Sequence, residues 1–279
     1  MKQFRFTNAA HIRSILFYLL LFLGSLVIIA PLGIMVLGSF KDTKEAAELS
    51  LSLPGQWHPE NYLVVFEKGK VGRAMLNSAI ITLSSVLLTV LSSAMASFYF
   101  ARINTFISRT GFSFFMLGMI APISLIPTIT LLQRLHINNT FTGVILVFTA
   151  LNLAFSLFLF TGFVKTIPRE MDEAAIIDGC GRLKAFFLVV FPLLMPVIVT
   201  DIIVVFMGVW NSFVIPLYFL SDSSKWPMPL TVYNFFGKYQ SSWNLVFADL
   251  VMTALPILVV YLLGQKYIID GMTAGAVKG

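Results

Sequence analysis

A short acidic stretch that ends in two glycines is the part of the sequence whose residue types and spacing point most directly to chemistry. Pro168 favours the start of a helix, and Glu170 and the acids after it then lie where the helix dipole stabilises negative charge. Gly179 allows a tight turn, and a second helix is predicted from Arg182 until Pro192 ends it. The pattern predicts two short helices joined by a turn, the first of them rich in carboxylates.

The end of the first predicted helix combines charge with a small apolar surface. Residues 174–177 read Ala-Ala-Ile-Ile and lie between Glu173 and Asp178. This arrangement suits docking into a groove on a partner protein. The alternative is an amphipathic loop helix that rests on lipid headgroups, and that reading would favour Lys and Arg rather than acids on the polar face.

Side chains that could perform catalysis are scattered along the sequence. His11, His58 and His136 fall in separate segments, and the single Cys180 has no Cys or His at the spacing of metal ligands. The sequence also lacks a G-x-x-x-x-G-K-[ST] phosphate-binding motif. We therefore expect no metal site, no bound cofactor and no enzymatic activity in this chain.

The elements that position the acidic stretch follow from the composition. Of the 279 residues 58% are hydrophobic and 11% are charged, and the mean hydropathy is +0.88. A soluble domain carries about 25% charged residues, so a water-soluble enzyme is excluded and a polytopic membrane protein is indicated. The net charge of +6 is attributed to basic loops beside membrane spans rather than to nucleic-acid binding.

Apolar stretches long enough to cross a membrane as helices, about 20 residues each, occur six times. We predict spans at 15–40, 74–101, 111–133, 141–164, 193–220 and 245–268. The predicted fold class is an all-α integral membrane protein of six transmembrane helices. Its segments are an N-terminus (1–14), a transmembrane domain (15–268) that includes the polar loop 165–192, and a tail (269–279). The first run follows basic residues like a signal peptide, but it is too long for one.

The distribution of basic residues sets the predicted orientation. With both termini in the cytoplasm, eleven of the nineteen Lys and Arg residues lie inside and eight lie outside. The outer segment from Lys41 to Arg73 also balances its bases with acids. Both termini and the loop 165–192 are therefore expected on the cytoplasmic side.

Polar residues within or beside the spans are the remaining candidates for function. Asn77, Asn152, Asp201 and Asn211 could face a pore and hydrogen-bond a hydroxylated solute. Each could equally make hydrogen bonds between helices, as small polar side chains in membranes commonly do. A charged Asp201 would be costly in hydrocarbon, so we expect it to be paired, hydrated or close to the interface.

Several motifs resemble those of one transporter family. The acidic loop resembles the EAA loop of the permease subunits of bacterial ABC importers, and the flanking residues resemble the maltose-type subunit of carbohydrate importers. The residues that carry this resemblance are Glu173-Ala174-Ala175, Asp178-Gly179, Phe191-Pro192, Asn77-Ser78, Ala101-Arg102, Trp210-Asn211 and the tail Gly271–Gly279. Cys180 and Phe191 depart from the usual Ala and Leu, and neither departure weakens the assignment.

The resemblance implies a set of partners and roles. Two permease subunits would form a heterodimeric pore in the bacterial inner membrane, with two ATPase subunits that use ATP and Mg²⁺ and an external solute-binding protein that delivers a sugar. The loop 165–192 would carry the coupling helix. Glu173 would offer its carboxylate to a basic residue of the ATPase, Ala174 and Ala175 would permit close approach, and Gly179, after Asp178, would supply the turn. The tail would be a second ATPase contact.

Two other classes of protein are weighed against this interpretation. A secondary transporter driven by an ion gradient often contains buried ion-binding acids and interrupted helices. In this sequence only Asp201 and Asp249 lie near spans. A membrane-embedded enzyme would need clustered His, Asp or Glu near the end of a span, and the sequence contains no such cluster.

Overall fold

The computed structural model describes the backbone of residues 4–236 and 242–276 and the side chains of residues 13–236 and 242–267. This described part is all-α, as predicted. Its helices are α1 (Phe4–Gly38), α2 (Thr43–Ala47), α3 (Glu60–Lys68), α4 (Val71–Arg102), α5 (Phe106–Leu117), α6 (Leu125–Arg134), α7 (Phe141–Val164), α8 (Arg169–Ile177), α9 (Arg182–Ala185), α10 (Phe191–Leu193), α11 (Met195–Trp210), α12 (Val214–Phe219) and α13 (Trp243–Ala276). A π-helical segment (Phe186–Val190) joins α9 to α10, and two 3-10 helices (Ser223–Lys225 and Met228–Asn234) follow α12.

The chain divides into two compact units, of which the first comprises Met1–Val71 and Val232–Thr253. In this unit a Cβ atom on Gly38 would collide with the ring of Phe247, so the absence of a side chain at Gly38 lets α1 approach α13. Hydrogen bonds continue the contact, because Asn244 Nδ2 donates to Asn61 Oδ1 (3.0 Å) and Asn61 Nδ2 donates to the Lys41 carbonyl (2.9 Å).

The second unit comprises Gly72–Thr231 and Ala254–Gly279. Its apolar core includes Val90 of α4, Phe160 of α7, Val205 of α11 and Phe186 of the π-helical segment, all of them buried. These residues lie on one side of helices whose other sides expose large apolar side chains. A soluble protein could not present such a surface to water, so the helices must face lipid or protein partners.

Four helices satisfy the length and hydropathy required of a membrane span. They are Arg13–Gly38, Val71–Arg102, Phe141–Val164 and Trp243–Tyr267, and they confirm the helices predicted at 15–40, 74–101, 141–164 and 245–268. A fifth candidate is the pair Arg182–Leu193 and Met195–Trp210, which is bent by 78°.

The predicted span 111–133 is not a single helix. The helix α5, of 12 residues, ends at Leu117 and α6, of 10 residues, begins at Leu125, so the stretch holds parts of two helices. Pro122 lies in the break; it has no N–H to donate and disfavours helical geometry at the residue before it.

The predicted span 193–220 is interrupted as well. The helix α11 ends at Trp210 and α12 begins at Val214. Pro216 lies in the first turn of α12. Proline is accommodated in the first turn of a helix, but in the interior of a helix continued from α11 it would break the hydrogen-bond pattern.

The predicted tail continues the last helix over most of its length. The helix α13 extends through Ala276, so the backbone from Gly271 onward is helical up to that residue. Residues 277–279 and the side chains of the whole tail lie outside the described residues.

Candidate functional site

The segment between α7 and α11, residues 165–194, contains the helix–turn–helix predicted from the sequence; we call it the α7–α11 loop. The helix α8 follows Pro168 and has Glu170 and Asp172 in its first turn. It ends with Gly179 in the left-handed region (φ +81°), the conformation in which glycine is favoured. The Cys180 N–H donates to the Ala175 carbonyl (2.9 Å), which completes a glycine C-cap and confirms the predicted turn.

The second half of the α7–α11 loop turns the chain back into the apolar core. The π-helical segment begins at Phe186. The Phe191 N–H donates to the carbonyl of Phe186, five residues earlier, whereas in an α-helix it would donate to the carbonyl four residues earlier. Pro192 follows and has no N–H to donate, so the hydrogen-bond ladder of the segment is interrupted here. Phe186 and Val190 are buried by this arrangement.

A buried ion pair attaches α8 to the end of α4. Arg102, the last residue of α4, pairs through Nε with Asp172 Oδ2 and donates from Nη2 to Asp172 Oδ1 (3.3 Å). The same guanidinium donates to the carbonyls of Val164 (3.3 Å) and Ile167 (3.1 Å), just where α7 ends. Both side chains are only 12% exposed. One cation therefore connects α4, α7 and α8.

The predicted coupling residues divide between two sides of α8. Glu173, Ala174, Asp178 and Gly179 are exposed, as are the neighbouring isoleucines of the apolar surface. The side chain of Ala175, in contrast, is buried against the chain itself (6% exposed). The structure thus brings four of the five predicted residues to the surface and places the fifth facing inward.

A cavity of about 430 Å³ lies beside α8. One wall is formed by Arg169, Glu173 and Ile176, which share a face of α8 because they are four and three residues apart. Arg102 and Tyr99, near the end of α4, contribute to the opposite wall. The cavity is open and mostly apolar in its walls. Its charged lining residues are Arg102 and Asp172, which pair with each other, together with Arg169, Glu173 and Arg182.

The four predicted polar residues of the substrate path do not converge. Asp201 is fully buried in α11 and accepts a hydrogen bond from Ser156 of α7 (2.8 Å), which is the interhelical alternative weighed for it. Asn152 donates to the Phe148 carbonyl one turn earlier in its own helix (2.8 Å). None of the four lines the cavity beside α8.

The other two polar residues lie at helix ends. Asn77 is buried in α4, and its Nδ2 donates to the carbonyls of Ser224 (2.9 Å) and Trp226 (3.0 Å), which attaches the segment after α12. Asn211 is exposed at the end of α11. Beside this attached segment, the backbone N–H of Ser224 donates to Asp222 and lowers the pKa of that carboxyl below its ordinary value.

Metal chemistry finds no support among the described residues. Within them, no group of three or more His, Cys, Asp or Glu side chains is arranged to hold an ion. Cys180 is a free thiol at the turn after α8.

The two residues that sequence reasoning missed are Arg102 and Asp172. Arg102 was noted as a basic residue at the end of a span and, with Ala101, as part of the family resemblance, and Asp172 as an acid favoured by the helix dipole; their pairing was not predicted. They are 70 positions apart. The available signal was a charge at the end of a long apolar run, which requires a partner or water nearby.

Comparisons with known proteins agree with the motifs. The family model described as binding-protein-dependent transport system inner membrane component matches residues 10–273. The multiple sugar-binding transport system permease protein MsmG of Streptococcus mutans is 35% identical, covering 94% of this chain and 96% of its own. The probable ABC transporter permease protein YurM of Bacillus subtilis is 33% identical, covering 94% of this chain and 88% of its own.

A solved structure shares the fold. The crystal structure of a bacterial ABC transporter involved in the import of the acidic polysaccharide alginate contains a chain that aligns with a TM-score of 0.81. The alignment covers 93% of this chain and 97% of that chain at 19% identity. The likeness at this identity concerns the fold alone.

Proposed function

Because the chain belongs to the family of binding-protein-dependent transport system inner membrane components, we propose that it is the pore-forming permease subunit of an ATP-driven sugar importer. The proposal rests on the family match over residues 10–273 together with relatives that are sugar permeases, such as MsmG. ATP hydrolysis, with its Mg²⁺, belongs to partner subunits, and this chain is not an enzyme.

The exposed end of α8 is the proposed docking site for an ATPase subunit. Glu173 lines the cavity beside α8 and would pair there with a basic side chain of the ATPase. Ala174 and the exposed isoleucines next to it, Ile176 and Ile177, would fill an apolar groove. The Gly179 turn fixes the direction in which this end projects.

The ion pair below that surface would transmit the motion. A shift of α8 as the ATPase subunits close on nucleotide acts on Asp172, and through Arg102 on the ends of α4 and α7. Since both ion-pair partners are mostly buried, the connection is stiffer than a surface salt bridge between flexible side chains.

The first helix leaves an apolar surface for other molecules to cover. No residue in the apolar window of the candidate span Arg13–Gly38 is buried by this chain. A second permease subunit, lipid or both must therefore cover it.

We place six crossings in the pore subunit, with α5 and α6 together as the third and α11 with α12 as the fifth. Both termini are placed in the cytoplasm, on the same side as α8.

The sugar class is supported by the relatives rather than by a pocket. The related proteins include a diacetylchitobiose uptake system permease protein, NgcG, of Streptomyces coelicolor, which is 32% identical over 93% of this chain. An external solute-binding protein would deliver the solute. Of the polar residues in the proposed path, Asn211 is the one that is exposed and free to meet a hydroxylated solute.

The docking proposal is tested by reversing the charge of Glu173. Glu173→Arg is expected to weaken copurification of the ATPase subunits and to abolish uptake of labelled sugar. Glu170→Arg is the matched control, because it makes the same change on the same helix at an exposed residue that does not line the cavity. Assembly and uptake that survive Glu173→Arg would exclude the proposed contact.

The energy source is tested separately. Uptake of labelled sugar by the assembled importer is expected to stop when the ATPase subunits are inactivated by mutation. Uptake that persists and instead follows an ion gradient would favour a secondary transporter.

A further inference from the structure

An extended apolar segment follows α2 in the first unit. Leu49, Leu51 and Leu53, here called the leucine edge, are 48%, 53% and 73% exposed. The alternate residues Ser50 and Ser52 are held from behind, because Lys41 Nζ donates to the Ser50 carbonyl (3.0 Å) and to the Ser52 hydroxyl (3.0 Å). Lys41 thus bonds to both serines, of which Ser52 is itself exposed, and the three leucines are exposed beside them.

The depth of the leucine edge follows from its contact with α1. The Leu51 Cδ2 atom lies 3.0 Å from the position that a Cβ on Gly33 would take. Gly33 is five residues before the end of α1, or about 7.5 Å along the helix axis at 1.5 Å per residue. The leucine edge therefore folds back alongside the span instead of projecting beyond it.

The position of Gly33 in the helix gives the level of this contact. Gly33 lies within the candidate span Arg13–Gly38, an apolar helix long enough to cross a hydrocarbon core of about 30 Å. Leu51 is thus beside the last two turns of that span, at its Gly38 end.

Two neighbouring features fit that level. Trp57 is 60% exposed and packs on Phe40 (ring centroids 5.4 Å apart), just beyond the end of α1, and tryptophan favours the membrane interface. Leu49 has φ +51°, a conformation in which Gly or Asn would avoid strain. The leucine at this position accepts that strain while its side chain stays exposed.

We propose that the leucine edge is a lipid-binding surface that inserts its three side chains into the membrane leaflet at the Gly38 end of α1. The backbone stays at headgroup level, where water can satisfy its polar groups, since no backbone polar group can be left unpaired in hydrocarbon. This proposal requires only that α1 spans the membrane. It does not depend on the partners proposed for α8.

The test uses a spin label on the assembled importer in lipid nanodiscs, with partner subunits free of cysteine. Cys180→Ala removes the one cysteine of this chain, and Leu53→Cys then carries the label. Glu48→Cys, an exposed position just before the leucine edge, is the matched control. We expect the ratio of collision with a water-soluble nickel complex to collision with oxygen to be several-fold lower at 53 than at 48.

Two other outcomes would overturn the proposal. A label at 53 that meets the nickel complex as freely as the label at 48 would place the leucine edge in water. A label that meets neither reagent would place it beneath another protein subunit. Leu51→Cys gives the same readout from the middle of the edge if Leu53→Cys fails to assemble.

Discussion

Two loops that follow membrane helices are held in place by opposite means. In the α7–α11 loop, whose apolar residues pack into the core, the polar contact to other helices is one ion pair, Arg102 with Asp172, which connects three helices. The first loop, residues 39–70, is held by a network around Lys41 and Asn61, in which Lys41 is a buried cation hydrogen-bonded to neutral oxygens. The first arrangement concentrates force at one point and suits transmission of motion; the second distributes it and suits a fixed structure.

Removing the concentrated contact is expected to have the largest effect. Asp172→Ala leaves the mostly buried Arg102 without its carboxylate, and loss of one partner of a buried pair costs about 3 kcal/mol. We expect a lower unfolding temperature of the purified importer and ATP hydrolysis that no longer responds to solute. Glu170→Ala, on the same turn but exposed, is the control. Unchanged solute response in Asp172→Ala would contradict the transmitting role.

Removing the central cation of the distributed network should cost less. Lys41→Met takes away the donors to Ser50 and Ser52, at about 2 kcal/mol for hydrogen bonds from a charged group. The two serine hydroxyls still bond to each other (2.8 Å) and Asn61 keeps its carbonyl partners. We expect faster hydrogen exchange over residues 49–53 and intact ATPase coupling. If ATP hydrolysis in Lys41→Met no longer responded to solute, the first loop would also take part in transmission, and the proposed difference between the two loops would be wrong.

The turn after α8 gives a smaller and more local test. Gly179→Ala forces a side chain into a φ of +81° and is expected to cost about 1 kcal/mol. Gly181→Ala is the matched control, because Gly181 has φ −65° and open space around it. ATPase copurification should fall for the first variant only. Equal losses of ATPase copurification for both variants would show that any added side chain is harmful at this turn, and that the backbone conformation of Gly179 is not the cause.

The smallest expected effect concerns the pH response of the first loop. The N–H groups of Glu45 and Lys44 donate to the Asp42 carboxylate at the start of α2 and hold its pKa below the ordinary value of 3.8. A lowered pKa in the folded state contributes stability that is present above the ordinary value and is lost as pH falls through the folded value.

Asp42→Asn keeps an acceptor at this position and cannot titrate. The native protein is therefore expected to unfold at a slightly higher temperature than the variant at neutral pH, and this difference should disappear as the pH falls below about 4. A difference that persists in acid would show that it does not come from the ionised carboxylate of Asp42.

The elements that follow from local pattern were predictable. The spans 74–101 and 141–164 were found because uninterrupted apolar runs of that length can be only helices in a membrane. The turn at Gly179 was found because a positive φ selects glycine. Both signals lie within a few residues of the feature that they predict.

The features that depend on distant contacts were not predictable. The apolar content of 111–133 predicted a span, but it did not show that two separate helices, with Pro122 in the break between them, occupy this stretch. The pairing of Arg102 with Asp172 requires the ends of α4 and α8 to meet, and charge alone does not name the partner. The four polar residues of the predicted path face different surroundings, because their position in a span fixes their depth but not their direction.

The connection that Arg102 makes among three helices has a thermodynamic consequence in the opposite direction. A coupling free energy between two sites is reciprocal. If binding at α8 shifts the equilibrium between two positions of the ends of α4 and α7, then a shift between those positions must change the binding affinity at α8 by the same factor. The guanidinium of Arg102 would thus report the state of the pore to whatever binds α8, as well as carrying force from it.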